Sequence, residues 1–506
     1  MTTRPTRAGA LAALALLATS GALAQDASPT PSTLEEKVRA LEEEQKELAR
    51  RLEGLRKELE AGRQPTPAPS PTPTPTPAPA PAPSPGPVVA PGLTPLSFPL
   101  LGTSGSVTSG TSFNPSISVI PDFVYALDDR QGDGGEILAS ADGFHAPEGE
   151  ADGHDHGGLE EGFNFRETEL AFKASVDPYF DVTALFAASE DGLSAEEVYF
   201  QTRRLPAGLG VKAGKFFSGI GYLNSQHPHQ WDFVDTALPY QLLLGGNLDE
   251  KGIQVTWLPK LPVYLQVGAE LLQGENEAVA GYHGGEDAGP VPVDEGDEPG
   301  PDRVFSHKPG PRLFTGFVKL APDVGYSDAL QLGLSYARST LHEELHDEDG
   351  DGVVEEALEG TVDLFGVDVV FKHDAPHEYG RGDWTLQAEY LYRRKLLDLL
   401  GTTGRLEARQ DGAYLQAVWG VLPRVQLAAR LDVAGITNRV TEEGATASYD
   451  PTRRLTAAVT FNPTEFSRFR VQWDRSDVPV GGASETVDRL LLMVQMSLGA
   501  HGAHKF

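Results

Sequence analysis

The sequence predicts a transmembrane antiparallel β-barrel of about 16 strands, preceded by a short α-helical coiled coil and a Pro-rich linker. Three observations carry that prediction. From Asn114 onward the dominant hydropathy signal has period two, so that each segment has one apolar and one charged face. The connections between segments alternate between tight and long. Aromatic residues gather where the segments meet the tight connections. A water-soluble β-sandwich also alternates, but it has no reason to sort its turns by length.

The elements follow in order. Residues 1–24 read as a secretory signal peptide: Arg4 and Arg7 precede an apolar run from Ala8 to Ala18, and Ala22-Leu23-Ala24 supplies small residues for cleavage before Gln25. The run is too short for a membrane-spanning helix. The chain has no cysteine, which excludes a disulfide framework and a lipid at the cut site. Within residues 25–63, Leu34, Val38, Leu41, Gln45, Leu48, Leu52, Leu55 and Leu59 form a heptad seam, the pattern of a coiled coil. Ser32 and Glu35 have capping-box spacing at its start, and Gly62 stops it. A lone amphipathic helix has nothing of its own to bury that seam against, so self-association is expected. Residues 64–95, with proline at nearly every second position, form a polyproline II spacer rising ~3.1 Å per residue.

Residues 96–506 are then the barrel. In VYLQVGAELL, Val263, Leu265, Val267, Ala269 and Leu271 share one face, opposite Gln266 and Glu270. In RVQLAARLDV, Val425, Leu427, Ala429, Leu431 and Val433 oppose Gln426, Arg430 and Asp432. Many segments are near the ~9–11 residues with which a tilted strand crosses a bilayer. Tight connections fall at 205–208, 259–262, 420–423 and 462–465, whereas 128–161, 216–249, 274–310 and 340–360 are long. Trp257, Trp384, Trp419, Phe461 and Phe466 suit an interfacial girdle on the tight-turn rim. The last segment, Leu490 to Leu498, is followed by a terminal Phe506 of the same parity, an ending that resembles bacterial outer-membrane proteins. With an even strand number, both barrel ends face the periplasm, which places the coiled coil there.

If the apolar faces meet lipid, the charged faces line the lumen. Glu169, Glu270, Glu389, Arg393, Arg430 and Arg470 are the expected pore-lining residues. Both signs are present, so the wall does not settle ion selectivity. The third long connection, residues 216–249, is polar and aromatic; in place, length and composition it resembles the third long loop of 16-stranded porins, which implies that it folds inward as a constriction. His227, His229, Trp231, Asp232 and Asp235 are its candidate residues, with packing within the loop as the alternative role for the two histidines.

The surrounding motif resembles the phosphate-selective porin O/P family. The residues that carry the resemblance are Gly214-Lys215-Phe216, Gly219 to Gly221, Leu238-Pro239 and Gly252-Ile253-Gln254. It implies a trimeric 16-stranded channel. The ligand does not carry over, because phosphate channels need basic residues and no Arg or Lys lies between Phe216 and Glu250.

The net charge is −32, and three long loops hold most of it: 11 acids against one base in 128–161, nine against two in 274–310, and nine against none in 340–360. An acidic vestibule concentrates cations, although for any single acid an ordinary solvated surface group is the better reading. Seven of the 13 histidines are there too. His154, Asp155 and His156 offer donors for zinc, copper or nickel. His342 and His346 would stand one helical turn apart, a workable spacing for zinc. Asp347, Asp349 and Asp351 match the opening of a calcium loop, but Leu358 stands where its bidentate Glu is needed.

These readings lead to an outer-membrane porin, a water-filled diffusion channel for small cationic solutes or ions. The partners expected are outer-membrane lipid and two further copies of the chain, joined through the barrel wall and the coiled coil, with peptidoglycan contact and no nucleic acid. Two alternatives stay open: a channel or receptor that binds zinc or calcium in its loops, and a tether between outer membrane and cell wall. No cofactor is required. No nucleophile–base motif, phosphate loop or cofactor fingerprint is present, so no enzyme is expected.

Overall fold

The computed structural model describes residues 115–144, 159–190, 192–283, 294–295, 298–299, 303–346, 354, 356–442 and 444–499. All belong to the compact unit Pro91–Phe506. The signal peptide, coiled coil and linker, the terminal Phe506, and the candidate ligands His154, Asp155, His156, Asp347, Asp349 and Asp351 lie outside the described residues.

Sixteen strands close into an antiparallel barrel. They are β1 Ser116–Asp128, β2 Gly162–Ser175, β3 Phe180–Ser189, β4 Gly192–Thr202, β5 Leu209–Phe217, β6 Asp249–Trp257, β7 Tyr264–Leu272 and β8 Leu313–Ala321. Then come β9 Asp328–His346, β10 Glu356–His373, β11 Trp384–Leu399, β12 Arg405–Leu422, β13 Val425–Glu442, β14 Thr452–Thr464, β15 Ser467–Val480 and β16 Ala483–Met496. Each pairs with its neighbours in sequence, and β1 closes on β16 from Asp122 opposite Gln495 to Asp128 opposite Arg489. Closure gives each of the sixteen described strands a partner on both sides, a necessity in lipid where no water can satisfy backbone groups.

The barrel is inverted relative to a soluble domain. On β13, Leu427 and Leu431 are 42% and 56% exposed on the outside, while Arg430 and Asp432, on either side of Leu431, are 1% and 4% exposed on the inside. The same phase holds elsewhere. Ile253, Val255, Leu334, Val367, Leu415 and Val459 face outward, whereas Glu169, Gln254, Glu270, Gln416 and Thr456 are buried. Trp257, Trp384, Trp419, Phe461 and Phe466 are exposed. Trp384 opposes Trp419 across β11 and β12 and stacks on Phe371 at 4.9 Å, as an aromatic belt at a lipid interface requires.

One rim carries the short turns, for example 423–424 and 465–466. The other carries the longer connections, but residues 340–360 depart from expectation. They are mostly strand: β9 has 19 residues and β10 has 18, and they pair up to His346 opposite Glu356. This is more than a bilayer needs, so the hairpin continues past the apolar belt.

Among the described residues, three α-helices belong to the long connections: α1 Gly134–Ala139, α2 Leu238–Leu244 and α3 Glu277–Ala280. Residues from all three connections share one hydrophobic cluster, with Leu138, Phe144, Ile220, Leu223, Trp231, Tyr240, Leu243 and Val279 among its members. The largest such cluster among the described residues therefore joins the long connections to inward-facing strand residues such as Phe216, Leu272, Leu364, Leu391 and Tyr414.

Candidate functional site: the inward loop and its two walls

The connection between β5 and β6, residues 218–248, turns into the lumen because carboxylates on the wall capture its backbone. Glu270 on β7 accepts from the Ser218 hydroxyl (2.5 Å) and the Gly219 amide (2.9 Å). Glu389 on β11 accepts from the amides of Tyr222 and Leu223, each at 2.9 Å, and from the Tyr240 hydroxyl at 2.9 Å. The Tyr414 hydroxyl also donates to it. Glycine is needed at this approach. A Cβ on Gly219 would meet the Phe317 ring, and one on Gly221, whose φ is +57°, would meet the Tyr240 hydroxyl and Glu389. The loop's ends are held together by Asn224. Its amide donates to the carbonyls of Ser218 (2.9 Å) and Leu248 (3.1 Å), and its Oδ1 accepts from the Leu248 amide (2.7 Å).

At the far wall the loop meets arginines. Asp235 accepts from Arg430 (3.0 Å), Arg454 (2.9 Å), Arg489 (2.8 Å) and Gln472 (3.0 Å). Arg430 and Arg454 also donate to the Thr236 carbonyl, and Asp432 accepts from the Leu238 amide at 3.1 Å. Against the upward push of burial, the guanidiniums of Arg454, Arg430 and Arg489 hold the Asp235 carboxyl far below the ordinary carboxylate range. Arg470 donates to the carbonyls of Phe233 (2.7 Å) and Trp231 (2.9 Å), and Arg468 to that of His229 (2.8 Å). This arginine wall spans β13 to β16. On the loop it meets backbone oxygens, the Gln241 amide oxygen and the Asp235 carboxylate, and on the wall Asp432 and Asp474, the partners that a fork of N–H donors suits.

Helix α2 follows from local sequence. Pro239 lies in its first turn, and Gly245 ends it with a left-handed φ of 64°. It packs on β11, β12 and β13. Arg393 on β11 donates to the carbonyls of Leu243 and Ala278, each at 3.0 Å, tying α2 to the α3 segment. Burial and the neighbouring Glu389 raise the Tyr240 phenol well above its usual value, which keeps it a neutral donor.

The expected constriction residues are thus together inside the barrel. His227, His229, Trp231 and Asp235 are buried and Asp232 is half-buried, with Asp232 accepting from Gln416 at 3.0 Å. Glu169, Glu270, Glu389, Arg393, Arg430 and Arg470 do face inward, but all are at most 3% exposed. They hold the loop in place of lining open water.

The chain is 36% identical over 417 residues to an uncharacterized protein of Aquifex aeolicus (strain VF5), a match covering 79% of this chain and 81% of that one. The chain belongs to that protein's family. No protein-family model matches the chain, so the likeness of this family member to phosphate-selective porins rests on its local motif. Among solved structures it is similar to outer-membrane expressed OmpT of Vibrio cholerae, at 8% identity and a TM-score of 0.45 over 78% of this chain and 100% of that one. It is also similar to the anion-selective porin from Comamonas acidovorans (9%, 0.43, over 76% and 100%) and to the outer membrane channel DcaP of Acinetobacter baumannii (12%, 0.42, over 76% and 97%). Similarities this low add nothing to the barrel seen directly.

In this family member the expected helical pair His342 and His346 is corrected. Both lie on β9, where period two puts them on the same side as Glu344. His342 Nε2 is 2.6 Å and His346 Nε2 3.2 Å from Glu344, whose carboxylate also takes the Lys395 ammonium. His342 Nδ1 accepts from the Gly281 amide at 2.9 Å. Both His342 nitrogens are engaged, so it is a strut between β9 and the α3 segment. Sequence reasoning missed Arg454, Gln472 and Arg489, although parity marked them as inward: Arg454 alternates with Thr456, Gln472 with Asp474, and Arg489 opposes the apolar face of Leu490 and Leu492. It also missed Glu196 and Glu197, where a bulge breaks the alternation.

Proposed function

We propose that this chain is an outer-membrane porin, a diffusion channel for small solutes whose bore is narrowed by residues 218–248. The observation supporting it is the loop's placement between a carboxylate wall (Glu270, Glu389) and an arginine wall (Arg430, Arg454, Arg470, Arg489), bonded to both. A barrel with no transport role has no need to hold a loop there. The porin O/P resemblance adds the trimer, with the N-terminal heptads in the periplasm assisting assembly.

The solutes are small cations or neutral molecules. The arginine wall spends its charge on the loop, so the acidic connections above it set the field that an entering ion meets. Purified protein in a planar bilayer under a potassium chloride gradient tests this. Discrete current steps with a cation-selective reversal potential are expected. A folded protein that carries no current would remove the channel, and an anion-selective potential would remove the cation preference.

A further inference from the structure

Two bulges lie close together on the barrel wall. Where β1 meets β2, Asp122 opposes Glu167 and Phe123 opposes Phe165, so Arg166 is an extra residue. Where β3 meets β4, Leu185 opposes Glu197 and Phe186 opposes Ala195, so Glu196 is extra. A bulge interrupts alternation and re-aims a side chain. Here its effect is that Glu196 and Glu197, adjacent in sequence, are both buried, on the side that also carries Glu169.

The inward loop sets an imidazole among them. His227 Nε2 is 3.1 Å from Glu197 Oε2, while Nδ1 is 3.3 Å from Glu196 Oε2 and 3.6 Å from Glu169 Oε2. The ring is 94% buried, Nδ1 makes no aligned hydrogen bond, and His229 stacks beside it at 5.8 Å with its own Nδ1 2.9 Å from Glu169. One ligand atom each from Glu169, Glu196 and His227 lies within 4.8 Å of the others. With Nε2–H donating to Glu197, the Nδ1 lone pair is left beside the carboxylates of Glu196 and Glu169. A carboxylate on the remote nitrogen is how a metal-binding imidazole is usually oriented.

We propose that Glu169, Glu196 and His227 bind one divalent transition-metal ion of the zinc class, with Glu197 as the positioning residue behind His227. One imidazole and two carboxylates suit zinc, and three protein ligands leave a fourth position open. The ion joins β2, β4 and the inward loop at a single point. It pins the end of the loop opposite the Asp235 cage and offsets two of the carboxylate charges buried there. The inference holds whether or not the bore conducts, because it rests only on the barrel and the loop's seating.

The test uses the full chain in detergent, stripped with a chelator and titrated with zinc chloride. The acidic loops also offer donors, so the readout is a difference in bound zinc between the native protein and Glu196→Gln or His227→Gln. A third variant, His373→Gln on the far side of the barrel, is the control. Both ligand variants are expected to hold one equivalent less than native and control protein. Hydrogen exchange of the peptide spanning 223–231 in native protein supplies a measure independent of variant folding, and zinc is expected to slow it at least tenfold. Equal stoichiometry in all folded proteins, or exchange in 223–231 indifferent to zinc, would overturn the site.

Discussion

Replacing Asp235 with asparagine removes an anion shared by three buried guanidiniums. The size of the effect follows from what each guanidinium retains. Arg430 keeps Asp432 at 2.9 Å and Arg489 keeps Asp474 at 2.9 Å, whereas Arg454 keeps only Asp432 at 3.5 Å. One cation is therefore left close to uncompensated. Breaking a buried pair costs about 3–5 kcal/mol, and with two of three partners still paired the lower end applies, about 3 kcal/mol. At about 1.4 kcal/mol per tenfold, the population with the loop undocked rises on the order of 100-fold. Hydrogen exchange of the 231–244 peptide reads that population directly, since protection there follows the local opening free energy. The substitution should accelerate exchange by about two orders of magnitude and raise single-channel conductance, with the barrel itself intact. A folded variant exchanging within threefold of the native rate would show that the cage does not hold the loop.

Other outcomes follow from the same geometry. The Asp235 carboxyl is depressed in the folded state, so its stabilising contribution is complete above the unfolded value of ~3.9 and is lost only as pH falls below it. Exchange in 231–244 should be flat from pH 7 to 5, after correction for intrinsic rates, and should rise below pH 4. Gly221→Val forces a β-branched residue into a left-handed backbone against Tyr240 and Glu389, and should expose residues 218–225 to protease without unfolding the strands. Leu431→Arg places a charge on the outer face and should destabilise the barrel in lipid by about 2–4 kcal/mol in equilibrium unfolding.

Much of the barrel is legible in the sequence because lipid imposes a strict rule. Leu427 and Leu431 had to be apolar and Arg430 and Asp432 had somewhere else to point, so parity alone gave their sides. The inward course of residues 218–248 is legible only in part: length and aromatic content mark them as no simple turn, and their inward direction comes from the likeness of a third long connection to that of porins. What period two cannot reveal is where it fails. Glu196 gains its inward position from a bulge that no alternation shows, and residues 340–346 read as loop because their acids and histidines mask a strand extending beyond the apolar belt. Nor does parity distinguish a residue that lines water from one that grips a loop. Glu389 and Arg430 face inward as expected, but their partners lie some 150 to 195 residues away in sequence, and no local pattern encodes that meeting.

The barrel is inside-out, its polar side turned away from lipid. Single-cysteine nitroxide scanning of residues 413–419 on β12 tests it, aided by the absence of native cysteine. Labels at Ala413, Leu415, Ala417 and Trp419 should relax fast with lipid-dissolved oxygen, and those at Tyr414, Gln416 and Val418 should not. A flat profile, or one with the opposite phase, would contradict the fold and everything built on it.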